Sequence, residues 1–153
     1  MEKKKEKRPN VDLLQSVLHN SEIGICAIDY LLPETTSENF EQTLNNQKAK
    51  LKKIADRAKQ LAETYELEIK PNSFFKKSKM WFAVKTSSFF DDGTQHLADL
   101  MIFGHFMGVV NMIKSLADAS KAKEDILQIA RDLKTTEEEC VNELVPYLER
   151  AKM

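Results

Sequence analysis

Four polar residues with ligand or proton-transfer chemistry lie in or beside long apolar repeats of this chain: Glu22, Gln47, His105 and Glu137. Brought to one level of a helical bundle, they admit two kinds of chemistry. Carboxylates and imidazoles projected into a bundle core are how metal-carboxylate proteins build a site. Polar side chains hydrogen-bonded to one another in the same place, with no metal, fix the register of the helices. Cys140, three residues after Glu137, adds a soft donor to the same stretch. His19 and His96 have no second histidine three or four residues away, so the two-histidine helical metal motif is absent.

The two readings differ in what each residue needs. Glu137 sits between Leu133 and Cys140 on an apolar seam. A buried carboxylate without a partner is costly, and the expected remedy is a hydrogen bond to Gln47, His105 or a lysine. Gln47 reads as a register residue and His105 as a hydrogen-bonded core histidine. Glu22 lies beside its seam, on a stripe with Gln15, Leu18, Ile25 and Asp29, where a flanking, partly solvated charge is expected. The alternative is a site in which Glu22, His105 and Glu137 hold one transition metal ion, with Gln47 and Cys140 completing a polar core layer. No nucleophile with an orienting base, phosphate loop or cofactor fingerprint is present, so the expectation is a protein without catalytic activity.

Helices must position these residues. Leu14, Leu18, Ser21, Ile25, Ile28 and Leu32 step by four and three, and Pro33 ends that seam. Asn10 is placed to cap the helix, leaving residues 1–9 as a charged arm before a single bundle domain at 10–151. Thr35 and Glu38 have capping-box spacing ahead of a second seam: Phe40, Leu44, Gln47, Leu51, Ile54, Ala58, Leu61 and Tyr65. The short turn makes these two helices antiparallel neighbours. A third helix is expected over Gln95 to Ala119, capped by Thr94 or Asp92. It is apolar on nearly every side and should be the most buried element. Its Gly104 and Gly108 would let a neighbouring backbone come close. The fourth seam is Ile126, Ala130, Leu133, Glu137, Cys140, Leu144 and Tyr147, with Pro146 placed to kink its end. Lys70-Pro71-Asn72-Ser73 and Asp91-Asp92-Gly93-Thr94 bracket a middle segment that reads as a crossover carrying a short extra helix around Met80, Trp81, Val84 and Ser88.

Composition agrees with one soluble helical domain. The chain has 153 residues, only four glycines and four prolines, and a formal net charge of −1, which argues against a dedicated nucleic-acid binder. Cys26 and Cys140 have neither CxxC nor zinc spacing and fall in apolar helical patterns, as buried thiols do in a reducing compartment. The most apolar run, Leu100 to Ile113, is too short and too polar for a membrane span. A cytoplasmic protein with no membrane and no nucleic-acid partner is expected.

The stretches NSEIGICAIDYLLP, FEQTLNNQKAKLKKI, LMIFGHFMGVVNMI and TEEECVNELVPYL resemble those of ferritin-like four-helix proteins, and in particular of an uncharacterised bacterial ferritin-like family. The resemblance covers about residues 10–150. It implies an all-α, ferritin-like four-helix bundle. A ferritin-like di-metal site takes a Glu from each of two helices and Glu-x-x-His from each of the other two. Glu22 matches one lone Glu. The second-helix positions hold Gln47 and Lys50, the third helix has His105 and no Glu, and the fourth reads Glu137-x-x-Cys140. Two bridged metals need about four carboxylates, and only two are supplied. The resemblance therefore implies a ferritin-like fold without di-iron chemistry.

That leaves association as the expected role, through a homodimer or a protein partner. Phe74, Phe75, Trp81, Phe82, Phe89 and Phe90 crowd the crossover, and Trp81 and Phe82 are the candidate partner surface. Lys48, Lys50, Lys52, Lys53, Arg57 and Lys59 crowd the second helix, while Asp132, Glu137, Glu138, Glu139 and Glu143 crowd the fourth. These faces can pair within the bundle or between subunits.

Overall fold

The computed structural model describes residues 2–70 and 93–149. They form four α-helices and no strand: α1 (Glu2–Leu31), α2 (Glu38–Thr64), α3 (Thr94–Asp118) and α4 (Glu124–Leu148). A single 3-10 turn, Leu32–Glu34, follows α1 where Pro33 withholds a backbone donor. The seams expected from heptad spacing are the buried stripes. On α4 every seam residue from Ile126 to Tyr147 is buried, and on α2 the stripe runs from Phe40 to Ala58 with Leu61 and Tyr65 half-buried. Each large aliphatic side chain taken fully out of water contributes roughly 1.5–3 kcal/mol before entropy is charged against it.

Helix boundaries depart from expectation where tertiary partners or a better cap take over. α1 begins at Glu2 and carries Pro9 inside it, so the charged arm is helical. Asn10 does not cap α1. It is buried, and its side-chain oxygen accepts the backbone N–H of Lys123, the N-cap residue of α4, at 2.8 Å. The cap of α2 is Ser37, whose hydroxyl accepts from the Phe40 N–H, while Thr35 turns its hydroxyl back onto the Leu32 carbonyl at 2.8 Å. Gly93 caps α3 without a side-chain bond, in place of Thr94 or Asp92. The short extra helix expected in the crossover, with its aromatic residues, lies outside the described residues.

Cross-helix pairs give the topology. Lys48 meets Asp29, so α1 and α2 are antiparallel neighbours. Ser16 pairs with Ser115 at 2.6 Å and Asn20 with Asn111 at 3.1 Å, which makes α1 and α3 antiparallel. Thr43–Tyr147, Lys50–Glu143 and Arg57–Asp132 run α2 antiparallel to α4. Gln95 to Leu148 and His105 to Glu137 do the same for α3 and α4. The order around the bundle is α1, α2, α4, α3. α2 and α3 are diagonal and run in the same direction, so the end of α2 and the start of α3 lie at opposite ends of the bundle. The return begins within the described residues. Glu66, at φ 55, ends α2 in a left-handed turn closed by Leu67 N–H to the Ala62 carbonyl at 2.8 Å. Lys70 is then held against α1 by Gln15, which donates to its carbonyl at 2.7 Å and accepts from its N–H at 3.2 Å.

α3 is not the most buried element. Ala98, Met101, His105, Gly108 and Met112 face inward, but Phe103, Phe106, Met107 and Ile113 are 53%, 57%, 44% and 50% exposed. By length and composition α3 could cross a membrane, yet it packs on α1 and α4, with a third of its most apolar window buried. Among the described residues α3 packs on two neighbours, α1 and α4, and these do not enclose its outer face, which is why apolarity in sequence overstated its burial.

Candidate functional site: a buried polar layer and an exposed helix face

Three of the four polar seam residues meet in the core. Gln47 on α2, His105 on α3 and Glu137 on α4 are each at most 2% exposed. Gln47 donates through Nε2 to the backbone carbonyl of Cys140 at 3.3 Å, which turns its Oε1 toward the imidazole. His105 Nε2 donates to that oxygen at 3.0 Å. The other ring nitrogen, Nδ1, is hydrogen-bonded to Glu137 Oε2. One proton is therefore shared between the ring and the carboxylate. The pair is neutral overall whether it is written as imidazolium with carboxylate or as imidazole with carboxylic acid. This removes the main cost of burying two ionisable groups. The chain of four groups spans three helices and leaves no polar atom of the layer's imidazole unmatched.

Gly108, one turn after His105, makes room for it. A β-carbon there would lie 2.8 Å from Glu137 Oε1 and 2.9 Å from its Cδ. The glycine admits a carboxylate, not the neighbouring backbone expected from the Gly104/Gly108 spacing. Gly24 acts similarly for packing, since its β-carbon would meet Leu51 Cδ1 at 2.7 Å.

Glu22 is not in the layer. The Asn20–Asn111 and Ser16–Ser115 pairs set it level with Val109, about one helical turn past His105. It is half-buried. Among the described residues no three His, Cys, Asp or Glu side chains converge as a metal site would require. His105 has both ring nitrogens engaged, so a metal at the layer would have to displace Glu137 or Gln47. Cys140 is fully buried, and burial first, then the charges of Glu137 and Glu143, pushes its thiol far above the ordinary range. That thiol is a poor nucleophile and a poor thiolate donor. Neither cysteine forms a disulfide.

The charged faces of α2 and α4 pair within the chain. Lys50 lies 2.9 Å from Glu143 and 4.0 Å from Glu139, and Arg57 is 3.0 Å from Asp132. The hydrogen bond to Glu143 raises the Lys50 pKa against a smaller opposing effect of burial. Lys52, Lys53 and Lys59 remain exposed. Trp81 and Phe82, the expected partner surface, lie outside the described residues. The exposed apolar residues of α3 were not singled out by sequence reasoning. Their signal was a helix whose apolar positions exceed what one seam can hold. Comparison of the chain with protein-family models, with curated proteins and with solved structures found no match.

Proposed function

We propose that the chain is a non-catalytic helical-bundle protein of ferritin-like fold that acts through association, first of all with a second copy of itself. The observation that carries this reading is the exposed apolar face of α3, with Phe103, Phe106, Met107 and Ile113 all more than two-fifths exposed. A patch of that kind on a soluble domain marks an interaction surface. The single crossover between parallel, diagonal helices supports the ferritin-like assignment, because that fold joins two antiparallel hairpins by one long connection. The buried cysteines are in keeping with a reducing, cytoplasmic setting. Light scattering on the eluting peak of a size-exclusion column, at micromolar concentration, is expected to give twice the chain mass. A monomer throughout that range overturns the homodimer.

The second reading keeps one transition metal ion at the level of His105 and Glu137, with Glu22 as a further ligand. It draws on the adjacency of a buried imidazole and a buried carboxylate. Elemental analysis after anaerobic purification decides it. Under the first reading the protein carries less than roughly a tenth of an equivalent of any transition metal and takes up none on titration. One equivalent, lost on substituting Glu137, would establish the second.

A further inference from the structure

α3 carries two heptad seams on opposite faces. Ala98, Met101, His105, Gly108, Met112, Ser115 and Ala119 step by three and four along the side packed on α1 and α4. Asp99, Phe103, Phe106, Val110, Ile113 and Ala117 step by four and three along the other. Every residue of the outer seam is exposed except Val110, which is half-buried. Over about 27 Å of helix the seam is apolar at its centre, with Met107 beside Phe106. It has an acidic residue at one end, Asp99, and toward the other a basic residue, Lys114, which adjoins Ile113, with Asp118 one turn further on beside Ala117 at the very end of the helix. A seam of this kind is what a helix presents to another helix.

The order of the charges selects the partner. A two-fold axis passing between residues 106 and 107, perpendicular to the helix, lays α3 antiparallel to α3 of a second copy. Asp99 then faces Lys114 of the partner subunit and, by symmetry, Lys114 faces Asp99 of the partner subunit. Both pairs lie about 11 Å from the axis. The same operation sets Phe103 against Val110 of the partner subunit and brings Phe106 and Met107 together at the centre. Each residue meets the position that its own symmetry mate requires, as an isologous interface demands. A parallel pairing would set Asp99 against Asp99 and Lys114 against Lys114, which opposes that arrangement.

We infer that the outer seam of α3 is an antiparallel homodimer interface, with an apolar centre at Phe106 and Met107 and two Asp99–Lys114 ion pairs fixing its direction. The inference rests on the self-association reading and names the surface and the register that would carry it.

Charge reversal tests the register in the full chain. Asp99→Lys replaces both ion pairs by like-charge pairs, and so does Lys114→Asp. Each is expected to weaken dimerisation about tenfold, since two symmetry-related pairs are reversed at once. Carrying both substitutions together swaps the charges and should restore dimerisation to within about threefold of the parent. Met107→Cys, next to the axis, should give a covalent dimer on mild oxidation, whereas the parent chain, whose two thiols are buried, should not. A parent dimer that tolerates both single reversals, or a double variant that stays as weak as the singles, overturns this interface and leaves self-association standing elsewhere on the surface. A monomeric parent overturns both. In that event, protection of the Met107→Cys thiol from alkylation assigns the seam to the chain's own remaining residues. A reactive thiol together with co-sedimentation on anionic phospholipid vesicles assigns it to a lipid surface.

Discussion

The absent side chain of Gly108 and the carboxylate of Glu137 occupy the same space: a β-carbon on the first would stand 2.8 Å from the nearer oxygen of the second. The glycine and the acid are therefore one device contributed by two helices. Glycine in a helix interior costs about 0.5–1 kcal/mol relative to alanine, and here that cost admits the anchor of the polar layer.

Gly108→Ala is expected to destabilise the protein by about 1–2 kcal/mol, the overpacking cost exceeding the gain in helix propensity. In a Glu137→Ala background the same substitution should become neutral or stabilising by up to ~1 kcal/mol. Urea unfolding of the four proteins of this cycle measures the coupling. Equal effects in both backgrounds would show that the carboxylate is not what fills the space.

Removing one member of the layer should cost much more than replacing all of it. His105→Leu strands Glu137 in the core and is expected to cost about 3–5 kcal/mol. The triple variant Gln47→Leu, His105→Leu, Glu137→Leu removes every unmatched polar side chain at once and is expected to lie within about 2 kcal/mol of the parent, on either side. What the triple variant should lose is uniqueness, seen as poorer dispersion of methyl resonances and greater dye binding at unchanged helix content. A triple variant less stable than His105→Leu would show that the layer contributes net stability.

Three groups with displaced proton affinities all move the same way. Burial raises Cys140, the Asp125 hydrogen bond raises Tyr65, and the Glu143 hydrogen bond raises Lys50. The folded chain then holds protons that the unfolded chain releases near its ordinary values of 9.0, 10.0 and 10.5. Stability from these groups is complete below those values and declines as pH rises past them, because the native state binds more protons. Midpoints from denaturant titration should thus fall between pH 8.5 and 10.5, to be compared with the same range in Cys140→Ala, where the earliest part of the decline is expected to flatten. Consistent with that, native protein at about pH 8 should leave Cys140 unreactive toward a disulfide reagent. A midpoint independent of pH over this interval would contradict the argument.

Glu66 holds φ 55 at the end of α2, a conformation that favours glycine. Its backbone N–H bonds the Glu63 carbonyl at 3.1 Å, and the next bonds Ala62, so the turn is fixed from both sides. Replacing it by glycine is expected to stabilise the fold by about 0.5–1 kcal/mol in thermal or urea unfolding. A loss of stability would mean that the Glu66 side chain does more than tolerate the turn.

Much of the helical framework was legible because period and burial agree. The seams from Phe40 to Ala58 and from Ile126 to Tyr147 are read directly from spacing, and the polar residues that interrupt them, Gln47 and Glu137, are the ones that meet. What was illegible depended on offsets between helices. Spacing put Glu22 beside its seam, as a flanking charge or as a metal ligand with His105 and Glu137, and only the Asn20–Asn111 pair gave its level, about one turn from His105. Asn10 resembles a helix cap in sequence, yet its partner is the backbone of residue 123, far along the chain. The role of Gly108 could not be read from its spacing to Gly104 without knowing that Glu137 stands opposite it. α3 misled in a different way. A sequence records how apolar a helix is, but not how many neighbours are available to cover it.

The diagonal placement of α2 and α3 also sets an order of assembly. The α1–α2 and α3–α4 hairpins are each joined by a few residues, so their closure costs little chain entropy. Gln47 and His105, in contrast, are 58 residues apart and belong to different hairpins. Their bond forms only where the two hairpins meet. Misaligned docking by one turn would leave a buried imidazole facing aliphatic side chains, a state penalised far more than a slipped apolar seam. The layer thus separates one alignment of the two hairpins from its one-turn neighbours by more than aliphatic packing alone would.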